Sequence, residues 1–117
     1  MQRGIYPKTN LGNPLSAYLK KLKADAKGLI TEIFVMDDKG LNVGQSDVTS
    51  DYWQGDEAKW QKTYLVGPSA IFVDKIEKDE SSQAFQSQIS MAISDPATGK
   101  VIGAVTVGVD VDELMAQ

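Results

Sequence analysis

The strongest constraint on the fold is a pair of neighbouring stretches whose side chains alternate in character with a period of two. From 83 to 94 apolar and polar residues alternate, and from 101 to 111 valines alternate mainly with small or polar residues, which is the period of a β-strand. The first stretch carries Phe85, Ile89, Met91 and Ile93 on one side and Gln86, Gln88 and Ser90 on the other, while the second includes Gly103, Thr106, Gly108 and Asp110. We expect one face of the first strand to be buried and its other face to be wet or to line a site. Small residues in the last strand leave room for a helix or a ligand.

The segment between these strands, Asp95-Pro96-Ala97-Thr98-Gly99, has the composition of a tight turn. It predicts an antiparallel hairpin. A second hairpin is predicted upstream, with strands over 29–36 and 41–45 joined by Asp37-Asp38-Lys39-Gly40. A further strand is predicted over 69–78, apolar at 70–73 and charged from Asp74 onward.

An amphipathic helix precedes the first hairpin. Asn13-Pro14 is typical of an N-cap followed by the first helical residue, and Gly28 suits a left-handed helix end. The apolar positions that recur at helical spacing are Leu15, Tyr18, Leu19, Leu22 and Ala26.

The segment 49–64 holds both tryptophans and two of the four tyrosines. Asp51 and Gln54 have the spacing of a capping box, and a helix starting there would place four side chains on one stripe. Those side chains are Trp53, Glu57, Trp60 and Tyr64. Two interpretations stay open: the stripe fills the core, or it walls a small-molecule pocket. Glu57 is either a buried carboxylate that needs a partner or a first-turn acid favoured by the helix dipole.

These elements predict an α+β fold with the order helix, two strands, helix, three strands. The sheet is expected to be antiparallel and five-stranded, with the N-terminal helix and the middle helix packed on it. A chain of 117 residues suits one domain. Residues 1–12 are interpreted as an irregular lead-in and residues 13–117 as that domain.

Composition narrows the functional classes. The chain has no cysteine and no histidine and carries a formal net charge of −4. Thiolate catalysis, cysteine-based zinc sites and Ser-His-Asp chemistry are therefore excluded, and the acidic balance argues against a nucleic-acid partner. The acidic cluster Asp74, Glu77, Asp79 and Glu80 lacks the oxygen spacing of an EF-hand. We expect that the protein is not an enzyme and that it binds no cofactor, metal or nucleic acid.

Three motifs carry a resemblance to a known family. They are the hairpin Ile33-Phe-Val-Met-Asp-Asp-Lys-Gly-Leu-Asn-Val43, the Asp95 to Gly99 turn, and the last strand Val101-Ile-Gly-Ala-Val-Thr-Val-Gly-Val, followed by an acidic helix start. With this element order, residues 13–117 resemble the Cache family of PAS-like extracytoplasmic sensor domains. The resemblance implies a small-molecule site between the sheet and the middle segment, with binding transmitted through the terminal helices.

Family members that bind amines or amino acids use aromatic residues, an arginine and a strand aspartate. The resemblance assigns Tyr52, Trp53 and Trp60 to the aromatic positions and Asp74 to the aspartate. The sole arginine is Arg3, so Lys59 or Lys62 would have to replace the family's arginine. With Glu57, this set favours an amine or amino-acid-like ligand over a simple carboxylate.

The leading functional prediction is a non-catalytic ligand-sensing domain on the periplasmic or extracytoplasmic side of a membrane, within a receptor or as a small exported protein, with its signal or anchor outside this chain. The alternative is a roadblock- or longin-like intracellular module for protein interaction and dimerisation, because such modules share the element order. Exposed sheet edges and the amphipathic first helix are compatible with a homodimer.

Overall fold

The structure is a computed structural model that describes residues 12–47, 52–78 and 83–116. Its helices are α1 (Pro14–Asp25), α2 (Ala58–Gln61) and α3 (Val111–Met115). Its strands are β1 (Ile30–Met36), β2 (Asn42–Gln45), β3 (Ile71–Val73), β4 (Glu77–Lys78), β5 (Phe85–Ser94) and β6 (Val101–Asp110). No helix within these ranges is long and apolar enough to cross a bilayer.

All the strands belong to one antiparallel sheet with the order β2-β1-β6-β5-β3. β4 also pairs with β5, so β3 and β4 occupy one edge position in succession. The single strand predicted over 69–78 is therefore divided at 74–76, where the Asp74 amide still bonds to β5 but Lys75 and Ile76 have no paired residue in that strand. The predicted α+β architecture is confirmed, and its fifth strand position is filled by two short strands.

The helix α1 covers the sheet at β1 and β2. Asn13 is its N-cap as predicted, accepting a 2.8 Å hydrogen bond from the Ser16 amide. The Asn13 Nδ2 also donates to the Val43 carbonyl oxygen at 2.8 Å, which ties the start of the helix to β2. Leu19 and Ile33 are buried in this layer. We call the sheet face that carries α1 the back face and the opposite face the front face.

The aromatic segment differs from the helix predicted from Asp51. Asp51 itself lies outside the described residues, and the helix begins only at Ala58, with Glu57 as its N-cap residue. Trp53 lies in an antiparallel bridge with Leu41, alongside β2. The prediction that Trp53 and Tyr64 lie on one helical stripe is therefore wrong, because extended chain and a turn at 55–56 separate Trp53 from the helix.

The path of the aromatic segment is set by its close contact with the turn of the first hairpin. The Gln54 amide donates to the Gly40 carbonyl oxygen at 2.6 Å. Gly40 has φ of 80°, and a Cβ there would lie 2.5 Å from the Gly55 Cα. Two glycines let the backbones meet at this distance. This tertiary contact overrides the local preference for a helix start.

The core lies on the front face, where Phe34, Met36 and Ala104 are buried and Trp60 packs against them. Ser90 and Thr106 are fully buried there too, and their hydroxyls share a 2.8 Å hydrogen bond. Of the two faces of β5, the polar one is therefore the more enclosed. The apolar face of β5 lies on the back of the sheet and stays partly exposed, contrary to the usual expectation for such a pattern.

Candidate functional site

A cavity of about 350 Å³ lies on the front face, between the start of α2 and the edge of the sheet. Three sets of residues line it: Glu57, Ala58 and Lys59 at α2, Asp74, Lys75 and Glu77 around the break between β3 and β4, and Gln86 and Gln88 on β5. Its volume is within the range of small-molecule sites. The interruption of the edge strand at 74–76 and the short α2 together create this space.

Hydrogen bonds of the Asp74 backbone fix this residue to β5. Its amide donates to the Gln88 carbonyl oxygen at 2.9 Å, and its carbonyl oxygen accepts from the Ser87 hydroxyl at 2.8 Å. The Asp74 Oδ1 accepts from the Lys75 amide at 2.8 Å. Both sides of the residue are therefore fixed to β5, and the carboxylate has a defined position at the cavity.

The charges in the cavity differ in how they are paired. Lys75 lies 3.6 Å from Glu77, and both side chains are largely exposed, so this pair contributes little. Lys59 has its Nζ 5.5 Å from the centroid of the Phe34 ring, a cation–π distance. Within the described ranges, neither Glu57, Lys59 nor Asp74 forms an ion pair. Two of the cavity's three carboxylates and one of its two ammonium groups are thus outside any ion pair of the described residues.

The predicted aromatic residues have other surroundings. The Trp60 indole donates to the Asp37 carbonyl oxygen at 3.0 Å and stacks on Tyr64 with centroids 5.1 Å apart. The Trp53 indole donates to the Lys39 carbonyl oxygen at 2.8 Å. The half-buried Tyr52 accepts from the Asn42 amide through its carbonyl oxygen at 3.0 Å.

The cavity therefore brings together Glu57 and Asp74 from the predicted set and leaves Tyr52, Trp53 and Trp60 outside its lining. Trp60 instead contributes to the core beneath α2. A cage of indoles around a cation is absent from this cavity. Its lining is mainly polar, which makes hydrogen bonds and charge pairing its main means of recognition.

Sequence reasoning did not name Gln86 and Gln88 as site residues, although the strand period placed both on one face that was expected to be wet or to line a site. Gln88 Nε2 donates to the Glu32 Oε2 at 3.0 Å, so its amide is oriented by a carboxylate on the same face of the sheet, across Gly108 of β6. The sequence did not show which strand pairs with β5. It therefore did not show that Gln86 and Gln88 share a cavity with Asp74, which follows the neighbouring strand β3.

Among the described residues, no group of three or more acidic side chains is arranged to hold a metal ion. The carboxylates of Glu57 and Asp74 instead share the cavity with lysines. That mixture favours an organic ligand with its own polar groups.

Comparison with solved structures identifies the fold. The extracellular domain assigned to the histidine kinase rpHK1S-Z16 matches with a TM-score of 0.65 and 14% identity, over 93% of this chain and 43% of that one. The ligand-binding domain of the Pseudomonas aeruginosa PAO1 chemoreceptor PctC, in complex with GABA, matches with a TM-score of 0.64 and 10% identity, over 95% and 46%. The ligand-binding domain of the Campylobacter jejuni chemoreceptor Tlp3, in complex with 4-methylisoleucine, matches with a TM-score of 0.61 and 18% identity, over 92% of this chain and 43% of that one.

These neighbours are Cache-type sensor domains of histidine kinases and chemoreceptors. The predicted resemblance is therefore confirmed for the fold. This chain spans less than half the length of each of these three structures. No protein-family model matches the sequence, and no curated protein matches it significantly.

Proposed function

We propose that this chain is a non-catalytic sensing domain that binds an amine or an amino-acid-like molecule in the front-face cavity, on the extracytoplasmic side of a membrane. Asp74 and Glu57 attract the ligand's ammonium group, and Lys59 pairs with a carboxylate when the ligand has one. Gln86 and Gln88 supply hydrogen bonds.

The observation that carries this proposal is that one cavity of ligand size holds oppositely charged side chains that form no ion pair with any other described residue. Two of the solved neighbours are complexes with GABA and with 4-methylisoleucine, each of which carries an ammonium and a carboxylate. A third is an extracellular domain, which supports the proposed location. All three are sensor or ligand-binding domains, which favours sensing over an intracellular interaction module.

The proposed mechanism is differential binding. The ligand draws α2 toward the β3–β4 edge. It shifts the equilibrium toward this closed arrangement by as much as it binds the closed arrangement more tightly than the open one. α3 begins directly after β6, and the Asp110 amide donates to the Leu29 carbonyl oxygen at 2.9 Å. The segment that follows α1 and the start of α3 therefore meet at one end of the central strands, where a shift can reach both helices.

Calorimetry with a panel of primary amines, amino acids and simple carboxylates tests the ligand class. We expect amine-bearing members to bind and simple carboxylates to bind at least tenfold more weakly. Asp74→Asn removes one of the cavity's carboxylate charges and should weaken binding of every amine at least tenfold, since a charge-assisted hydrogen bond contributes about 1.5 to 3 kcal/mol. Asp38→Asn is the matched control, because Asp38 lies in the exposed hairpin turn beside Lys39.

A second pair of variants separates amines from amino acids. Lys59→Gln should weaken amino acids and leave simple amines unchanged, whereas Lys62→Gln, on an exposed residue outside the cavity lining, should change neither. Absence of binding by every panel member at millimolar concentration would contradict the proposed function. Equal losses from Asp74→Asn and Asp38→Asn would contradict the proposed site.

A further inference from the structure

A row of side chains crosses the front face from β1 to the edge strand, at the level of the cavity. Glu32 and Gln88 both pair with Gly108 of β6, one from each side. The register of β3 on β5 continues to Asp74, whose amide donates to the Gln88 carbonyl oxygen at 2.9 Å. Asp74 and Gln88 are therefore opposite neighbours on this face, and Gln88 lies between two carboxylates.

Gly108 provides the space through which Glu32 reaches Gln88. Neighbouring strands are about 4.8 Å apart, so the backbones of β1 and β5 are separated by about 10 Å. The Glu32 Oε2 nevertheless accepts from the Gln88 Nε2 at 3.0 Å. A Cβ at residue 108 would lie 3.0 Å from the Glu32 Cγ and would collide with the Thr31 Oγ1. The contact between β1 and β5 therefore depends on the absence of a side chain on β6.

The chemistry of Glu32 determines which end of the Gln88 amide it contacts. An ionised carboxylate only accepts hydrogen bonds, whereas a side-chain amide both donates and accepts. Gln88 must therefore turn its NH2 group toward Glu32 and its Oε1 away from it. A charge-assisted hydrogen bond is about twice as strong as one between neutral groups, so it favours this orientation over the flipped one. Within the described ranges, Glu32 forms no ion pair that would compete for its charge.

We propose that Glu32 is a positioning residue of the ligand site, which holds the Gln88 Oε1 toward the cavity beside the Asp74 carboxylate and so selects primary ammonium groups over N-methylated ones. Without Glu32, the Gln88 NH2 group would be free to donate to Asp74 and to occupy the carboxylate that the ligand needs. With Glu32, two acceptors lie side by side and face the ligand. This inference rests on the proposed function and specifies which ammonium groups the cavity accepts.

The selectivity follows from the number of N–H donors on the ligand. A primary ammonium has three, so it can donate to Asp74, to Gln88 and to a further acceptor such as Glu57, which lines the same cavity. A trimethylated ammonium has none, and it leaves the Gln88 Oε1 in the cavity without a partner. Aromatic rings would favour a methylated cation, but Trp53 and Trp60 lie outside the lining.

Calorimetry with two matched ligand pairs tests the selectivity: ethanolamine with choline, and glycine with its N,N,N-trimethyl derivative. The wild type should bind the primary member of a pair at least about tenfold more tightly, because only that member can donate to Gln88. Glu32→Met removes the acceptor and keeps a side chain of similar length, so it should bring the two affinities to within about threefold of each other. Glu113→Met is the matched control, because Glu113 is exposed on α3 and outside the cavity lining, and it should keep the wild-type ratio.

A double-mutant cycle tests whether Glu32 acts through Gln88. Gln88→Leu removes the amide, so Glu32→Met should cause no further loss of affinity for the primary ligand when it is added to Gln88→Leu. Additive losses would mean that the Glu32 charge acts on the ligand directly, which would overturn the positioning role.

NMR of the ligand-free protein tests the hydrogen bond itself. The side-chain amide resonances of Gln88 should shift in Glu32→Met, whereas those of Gln86, two residues earlier on the same face of β5, should stay in place. The backbone resonances of the same sample show that the variant is folded. Unchanged Gln88 side-chain resonances would overturn the proposal.

The outcomes separate this inference from the proposed function. If the wild type binds the primary and trimethylated members equally, or if Glu32→Met keeps the wild-type ratio, the inference is overturned and the amine site stands. If no member of either pair binds at millimolar concentration, both are overturned.

Discussion

At the residue scale, Gly40 joins two parts of the chain that sequence reasoning treated separately. It ends the first hairpin turn with φ of 80°, and its backbone touches Gly55 in the aromatic segment. The indoles of Trp53 and Trp60 donate to the carbonyl oxygens of Lys39 and Asp37 in the same turn. The turn is therefore the anchor for the segment that leads to the cavity.

Gly40→Ala should lower the free energy of unfolding by about 3 kcal/mol, about 1 for a left-handed alanine and about 2 for the displaced backbone of Gly55. Gly99→Ala is a close control, because Gly99 has φ of 74° and no neighbour within 4 Å of a Cβ. It should lose only about 1 kcal/mol. Urea unfolding of both variants gives the comparison, and equal losses would mean that the contact with Gly55 has no energetic weight.

At the scale of elements, α1 depends on one side chain for two tasks. Asn13 caps the helix through Oδ1 and joins it to β2 through Nδ2. The sequence predicted the first task because the capping pattern is local. The second task required the position of Val43, which is 30 residues away and reaches Asn13 only through the packing of the helix on the sheet.

Substitution at Asn13 should separate the two tasks. Asn13→Ser keeps a capping oxygen and loses the donor to Val43, whereas Asn13→Ala loses both. We expect losses of about 1 and about 2 kcal/mol, respectively, in the free energy of unfolding, measured with urea. If the serine variant is as stable as the wild type, the bond between Asn13 and Val43 does not stabilise the fold.

At the scale of the whole molecule, stability should be distributed unevenly across the sheet. β1, β5 and β6 have seven, ten and ten residues, whereas β3 and β4 have three and two at an exposed edge. Short edge strands with exposed side chains open more readily than central strands. The cavity lies at this weaker edge, so the site can change shape while the central strands keep theirs.

Hydrogen exchange measured by mass spectrometry tests this distribution. Amides in 71–78 should exchange fastest among the strands and those in 30–36 and 101–110 slowest. A bound amine or amino acid should slow exchange in 71–78 and leave 30–36 almost unchanged. A uniform slowing across the sheet would point to a ligand site elsewhere, since a ligand in the cavity contacts only the edge.

Local patterns in the sequence determined much of this protein. The strand period, the turns at Gly40 and Gly99 and the Asn13 cap each depend on residues close together in the chain, so the antiparallel α+β fold could be predicted from them. Asp74 and Glu57 were identified as candidates by resemblance and by helical spacing, respectively. For Glu57 the spacing argument was wrong in its geometry, although the residue does line the cavity.

Only the tertiary structure decided which face of each element is covered. The backbone contact between Gly40 and Gly55 holds Trp53 beside β2 and delays the helix to Ala58. The break in the edge strand brings Asp74 and Gln88 to the same cavity. Side-chain alternation reports that two faces differ, but burial depends on what packs above each one, and here the polar face of β5 is enclosed while part of its apolar face remains open.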